Sequence, residues 1–339
     1  MNKKPTSSNW DYCCNILQKV SRTFALNITQ LEGDVFKVVL VGYLLFRIAD
    51  TFEDTVYQSE IKKIKDLKDF SEIFKGGKGL TERLELYESL KFRWKEDSDA
   101  KNLIENGHIV LQSYFELPEI YREIVDPLIV ETSNGMAKFQ RLKLESNNQI
   151  FQLNDMKELE LYCYYVAGVV GIMLTKIFSQ IGSIKEKRRE LEKFQVRFGI
   201  ALQLINIIKD YQKDVARGWC YIPLSITGKH NIRLEMIHSL SVEQRQGITK
   251  NMLPVIITYL DSSLSYIKLL PLKEKSVRMF CIIPFVLAYN TLHKIAALKG
   301  NKISRDEVAA IIHKSNIYSQ SNSSLEEDYI QFRQSCVSI

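Results

Sequence analysis

Apolar residues along the chain recur every three or four positions, as in "YLLFRIADTF" and "VRFGIALQLINIIKDY", and no stretch sustains the period-two alternation of a half-buried strand. The periodicity predicts helices over about 9–30, 34–54, 59–75, 81–94, 97–115, 117–146, 155–180, 184–216, 233–262, 272–299 and 304–315. Loops are predicted at "FKGGKGL", "ESNNQ", the stretch from Gly218 through "YIPLSITGKHN", and "KGNKIS". With only seven prolines and fifteen glycines, and with no internal repeat or linker, the pattern predicts one all-α domain over 1–339, with 316–339 a loosely ordered tail. The longest uncharged runs, "LYCYYVAGVVGIMLT" and "MFCIIPFVLAYNTL", fall short of the roughly 18 to 20 residues of a membrane span. The start, "MNKKPTSSNWDYCC", lacks the apolar core of a secretory signal. The expectation is a cytoplasmic protein without a transmembrane helix.

Composition changes this picture little. Apolar residues make up 45% and charged residues 25% of the 339, as in an ordinary soluble globular protein. The net charge of +6 includes the basic runs "IKKIKDLKD" and "KEKRRELEK", but acids and leucines interleave them at helical spacing, so they read as solvated helix faces rather than a nucleic-acid surface. Six cysteines without CxxC spacing read as reduced thiols, and five scattered histidines show no ligand spacing.

Charge becomes informative where it interrupts apolar helices. In "LLFRIADTFEDT", Tyr43, Arg47, Asp50 and Asp54 fall within about 60° on a helical wheel, with Glu53 on the flank. Carboxylates so spaced repel one another by roughly 0.2 to 0.5 kcal/mol unless a cation joins them. "ALQLINIIKDYQKDVARGWCYIP" repeats the arrangement: Gln203, Asp210, Asp214 and Arg217 share a face with Asn206 at its edge, while Leu204, Ile205 and Ile208 lie elsewhere. One Asp-x-x-x-Asp is a common accident of an acidic helix face. Two, each on an apolar helix beside a basic residue, predict carboxylates directed into one cavity, where Mg²⁺ takes a few protein oxygens and completes its shell with water and phosphate. Arg47, Lys209 and Arg217 are then placed to meet phosphate charge, which makes the constellation a diphosphate site. The competing reading is two solvated helix ends with local salt bridges.

Between the pairs, Ala167, Gly168 and Gly171 strip one sector of "LYCYYVAGVVGIML" of bulk, which either admits a neighbouring helix or leaves room for a long apolar substrate. Tyr162, Tyr164 and Tyr165 add hydroxyls and π faces, or simply core aromatics. "SRTF", Ser21 to Phe24, suits anion binding and a helix surface equally.

Taken in order, "SRTFALNITQLEGD", "YLLFRIADTFED", "SNGMAKF", "YCYYVAGVVG" and "LQLINIIKDYQKD" resemble the motifs of the squalene/phytoene synthase family over about residues 10 to 225, with a weaker likeness in "FCIIPFVLAYNTL" and "LKGNKI". "SRTF", "RIADTFED" and "NIIKDY" resemble the squalene synthase branch. The resemblance implies an isoprenoid-synthase fold, a helical bundle around a central apolar cavity. The implied reaction joins two farnesyl diphosphates through presqualene diphosphate, followed by reduction with NADPH to squalene. Phytoene or dehydrosqualene synthesis without a reductant is the close alternative, and a non-catalytic helical scaffold the distant one. The resemblance further implies Mg²⁺, or Mn²⁺ in its place, on Asp50, Glu53 and Asp54 and on Asp210 and Asp214. It implies phosphate contacts from Ser21, Arg22, Arg47 and Arg217, a role for Tyr162 in the first half-reaction, and polar positions at Gln203 and Asn206. Lys209 stands where the branch commonly carries arginine, and Lys302 and Arg305 lie near a basic pair implicated in NADPH binding. A monomer that visits the membrane surface transiently, where its lipidic substrate and product reside, completes the expectation.

Overall fold

The computed structural model describes residues 8–55, 59–90 and 98–337, and divides into two compact units, Met1–Leu144 and Glu145–Ile339. The first unit opens with α1 (Asn9–Val20), started by a reciprocal capping box between Ser8 and Asp11. Ser21 then takes extended backbone angles and its hydroxyl accepts from the Phe24 amide (3.2 Å), ending α1 and starting α2 (Arg22–Ile28). The single helix predicted over 9–30 is therefore two, because a serine N-cap is favoured over continuation of the first helix. α3 (Gly33–Asp54) follows, then α4 (Glu60–Ile73), α5 (Leu80–Ser89), α6 (Asp99–Glu105), α7 (Gly107–Phe115) and α8 (Glu119–Ser146). The far end of the helix predicted over 81–94 lies partly outside the described residues, and the one predicted over 97–115 breaks at Asn106. Nearly every residue of α3 from Val38 to Glu53 is buried, save Tyr43, Arg47 and Asp50. Those three exceptions recur at four and three, so a buried helix carries one polar stripe.

The second unit contains β1 (Phe151–Gln152), α9 (Met156–Cys163), a π-helical turn over Tyr164–Gly168, and α10 (Val169–Phe178). The short α11 (Gly182–Lys185) and α12 (Arg188–Leu191) lead into α13 (Gln195–Ala216), which β2 (Trp219–Cys220) follows. The predicted helix 184–216 is thus interrupted. α14 (Leu224–Thr227), two 3₁₀ segments, α15 (Val242–Leu269), α16 (Lys275–Ala296), α17 (Arg305–Tyr318) and α18 (Asn322–Val337) complete it. The all-α reading holds, with one addition: β1 and β2 pair in parallel, Phe151 with Trp219 and Gln152 with Cys220.

The stripped sector of α9–α10 is filled by protein. A Cβ at Gly171 would come within 2.0 Å of the Gln195 carbonyl oxygen, and one at Gly199 within 2.1 Å of the Ala167 carbonyl oxygen. The small residues therefore let α13 approach closely rather than clear space for a ligand. α18 corrects the expected loose tail: Leu325, Tyr329, Phe332 and Cys336 recur at helical spacing and are all buried. Met156–Phe178 and Lys275–Ala296 are each long and apolar enough, by length and composition alone, to cross a membrane, which corrects the shorter runs measured between charges. Packing accounts for much of their apolarity, since the most apolar stretch of the second is 67% buried within the protein and that of the first 44%.

Candidate functional site

In the first unit the polar stripe of α3 gathers the predicted residues. Arg47 Nη1 lies 3.9 Å from Asp50 Oδ2, with 32% and 39% of the two side chains exposed. Asp54 is exposed, while Glu53, on the flank of the wheel, is buried and accepts from Gln140 Nε2 at 3.4 Å. Desolvation by the surrounding protein raises the Asp50 carboxyl to about 7; Arg47 opposes the shift and Asp54 adds to it. Burial, with Asp54 and Asp50 adding repulsion, raises Glu53 to about 8. Lys63 stands behind the cluster: its buried ammonium donates to the Glu53 carbonyl oxygen (2.8 Å). Burial lowers the pKa of Lys63.

"SRTF" comes to the same stripe. Ser21 hydrogen-bonds the Tyr43 hydroxyl, whose pKa burial raises, and the Phe24 and Tyr43 rings lie 5.2 Å apart. The Arg22 side chain lies outside the described residues. Tyr43 shared the predicted face without a role; its contacts join "SRTF" to α3.

The second cluster, in the other unit, is arranged differently. Asp210 accepts from Lys213 (2.5 Å), and Lys209 Nζ lies 3.2 Å away while also donating to Asn206 Oδ1 (3.0 Å). Burial would raise Asp210, but the two lysines outweigh it and its pKa falls. Asp214 is buried and accepts from Arg217 Nη2 at 2.5 Å. Gln203 is half-buried on the same helix and Asn206 exposed. Arg217, predicted at phosphate, thus holds a carboxylate. Nearby, Asn301 Nδ2 donates to the Lys209 carbonyl oxygen (2.9 Å), which brings the loop carrying Lys302 against α13; Lys302 and Arg305, the first residue of α17, are both exposed.

Tyr162 is buried, and its hydroxyl donates to the Tyr221 hydroxyl at 2.9 Å. Its ring stacks on Tyr221 with centroids 4.4 Å apart and planes 20° apart, and Trp219 stacks on Tyr221 at 5.3 Å and 12°. Sequence reasoning passed over Trp219 and Tyr221. The alternation in "GWCYIP" was their signal, and at two paired residues the strand is too short for periodicity to reveal it.

Whether these residues suit Mg²⁺ and diphosphate follows from the same geometry. Asp50, Glu53 and Asp54 share the end of α3, with the Arg47 guanidinium 3.9 Å from Asp50, and burial together with mutual repulsion raises the Asp50 and Glu53 carboxyls; a divalent ion is a charge that would favour their ionised forms. Among the described residues no three His, Cys, Asp or Glu side chains gather closely enough to cage an ion unaided. An ion such as Mg²⁺ held there would need water and phosphate oxygens to complete its shell. Arg47 Nε is buried without a hydrogen-bond partner, a donor suited to an anionic oxygen.

The sequence pattern of the squalene/phytoene synthases matches residues 17–310. The chain belongs to the squalene/phytoene synthase family. Among its relatives, the squalene synthase of Dictyostelium discoideum is 28% identical over 86% of this chain, and squalene synthase 1 of Arabidopsis thaliana is 29% identical over 85%. The matched part is 65% of the length of each of these relatives. The complex structure of TcSQS with the ligand BPH1237 superposes with a TM-score of 0.80, covering 97% of this chain and 92% of that one at 23% identity. The isoprenoid-synthase fold of the family is therefore the fold of this chain.

One prediction arises directly from the α3 cluster. Folding raises the Asp50 and Glu53 pKa values above the ordinary carboxylate value near 4. Between about pH 4 and pH 8 the folded state therefore holds protons that the unfolded chain has lost, and this contribution makes stability fall as pH rises. The unfolding temperature of the magnesium-free protein is expected to drop from about pH 6 to about pH 8.5, and the drop to be smaller in Glu53→Gln. Equal slopes in the two proteins would show that Glu53 ionises normally.

Proposed function

We propose that this member of the family condenses two farnesyl diphosphates head to head to presqualene diphosphate and reduces that intermediate with NADPH to squalene. The observation that carries the reading is the end of α3: Asp50, Glu53 and Asp54 gather there with raised carboxyls at Asp50 and Glu53, beside an Arg47 Nε that is buried without a hydrogen-bond partner. In this reading Asp50, Glu53 and Asp54 would hold Mg²⁺ for one diphosphate, and Asp210 and Asp214 for the other. Bound Mg²⁺ supplies Lewis-acid stabilisation of the charge that develops on diphosphate as its C–O bond breaks. Ser21, Arg22, Arg47, Lys209 and Arg217 orient the diphosphates, with Lys209 offering a point charge rather than a bidentate fork. Gln203 and Asn206 supply further polar contacts, and Tyr162 serves the first half-reaction. NADPH supplies the hydride, and the exposed Lys302 and Arg305 are the residues that would meet its phosphates. The protein works as a monomer in the cytoplasm and visits the membrane surface to exchange lipidic substrate and product.

The deciding experiment is incubation with farnesyl diphosphate and Mg²⁺, with and without NADPH, read by mass spectrometry. Squalene with NADPH, and presqualene diphosphate without it, is the expected result. A product independent of NADPH that is never squalene would shift the assignment to dehydrosqualene or, from geranylgeranyl diphosphate, phytoene synthesis.

A further inference from the structure

Tyr221 lies outside the residues named in the reaction proposed above, yet its hydroxyl is 2.9 Å from that of Tyr162. The parallel pairing of Phe151 with Trp219 and Gln152 with Cys220 sets the path of the chain immediately after Arg217. Side chains two apart on extended backbone share a side, which places Trp219 and Tyr221 together, with planes only 12° apart. The path beyond β2 is also tied down: Gln152 Nε2 donates to the Ile222 carbonyl oxygen (2.9 Å), and the Leu224 amide to the Leu153 carbonyl oxygen (2.8 Å). Tyr162, on α9, meets this side through both its ring and its hydroxyl. Both tyrosines are buried, at 5% and 6% exposure, so their hydroxyls depend on protein partners where water is scarce.

We infer that Tyr221 is a positioning residue, fixing the ring of Tyr162 by stacking and the direction of its hydroxyl by accepting its proton. With that proton directed at Tyr221, the Tyr162 oxygen presents its lone pairs as acceptors. The two-residue strand pair then has a purpose beyond its own small stability, because it ties the Tyr221 ring to the end of α13 that carries Asp214 and Arg217. The inference rests on the reaction proposed above and on Tyr162 acting in it.

The test is a double-mutant cycle of Tyr162→Phe and Tyr221→Phe, with farnesyl diphosphate, Mg²⁺ and NADPH. Tyr221→Phe keeps the ring and removes the hydroxyl that accepts from Tyr162, so kcat should fall about tenfold, with KM within about twofold and the unfolding temperature little changed. Because Tyr221 acts through Tyr162, the double variant should be no slower than Tyr162→Phe alone. Tyr221→Phe within about twofold of the unaltered enzyme, or losses that multiply in the double variant, would overturn the inference while the reaction stands. An unaltered chain with no turnover of farnesyl diphosphate would overturn both, so the two failures are distinguishable.

Discussion

Asp50→Ala is expected to lower prenyl-diphosphate turnover by at least about a hundredfold while leaving the unfolding temperature of the metal-free protein unchanged or higher. The two effects have a common origin. In the metal-free fold the Asp50 carboxyl is partly desolvated and faces Asp54, and among the described residues Arg47 offsets it, at 3.9 Å. Removing it relieves repulsion, yet it also removes an oxygen ligand that the proposed ion requires. Asp210→Ala should lower turnover comparably with a different stability signature. Asp210 is already paired with Lys213 and Lys209, both partly exposed, so its loss should change stability by no more than about 0.5 kcal/mol, and not upward. Steady-state assays and thermal unfolding of both variants provide the check. Turnover within about threefold of the unaltered chain for both would remove the acidic clusters from the chemistry. A rise in stability for Asp50→Ala in a protein that never turned over prenyl diphosphate would favour the scaffold reading.

The contrast between the clusters also says what wheel geometry can and cannot show. The spacing of Asp50 and Asp54, and of Asp210 and Asp214, is a property of any helix and could be read from the letters. Their electrostatic states could not. Asp210 is pulled down by Lys213, which the wheel left outside the predicted set, whereas Asp50 and Glu53 are pushed up by burial that depends on what packs over α3. Gln140 and Lys63 reach Glu53 from α8 and α4, and nothing in "ADTFED" announces them.

The same distinction explains the fold. Long apolar helices such as α3, α13 and α16 were legible because their periodicity extends over many turns. Ser21 and Asn106 broke predicted helices through local backbone geometry that periodicity does not register. α18 was lost because "SQSNSSLEEDYIQFRQSC" is mostly polar; its apolar stripe of Leu325, Tyr329, Phe332 and Cys336 is one residue wide.

That final helix is held by a residue whose role no pattern suggests, and Arg278→Met is expected to cost about 3 kcal/mol of stability. Arg278 is fully buried in α16, and among the described residues no carboxylate pairs with it. Its guanidinium instead donates to the carbonyl oxygens of Ile267 and Leu270 at the end of α15 (2.9 and 2.8 Å), and of Ser319 just past α17 (2.8 Å). It also reaches Asn322 Oδ1 at the start of α18 (2.8 Å). Two helix C-termini carry partial negative charge from unsatisfied carbonyls, and these dipoles take the place of a counter-ion. Methionine fills much of the volume and relieves the cost of burying a cation, but it leaves the Leu270 and Ser319 carbonyls without the donor that satisfies them, at about 1–3 kcal/mol each. The orphaned carbonyls outweigh the desolvation relief because only one side of each hydrogen bond is removed. Urea unfolding should show the loss in Arg278→Met and a smaller one in Arg278→Lys, whose single ammonium keeps the charge but cannot span all three helix ends. A change below about 0.5 kcal/mol in Arg278→Met would mean that α15, α17 and α18 are joined by apolar packing alone.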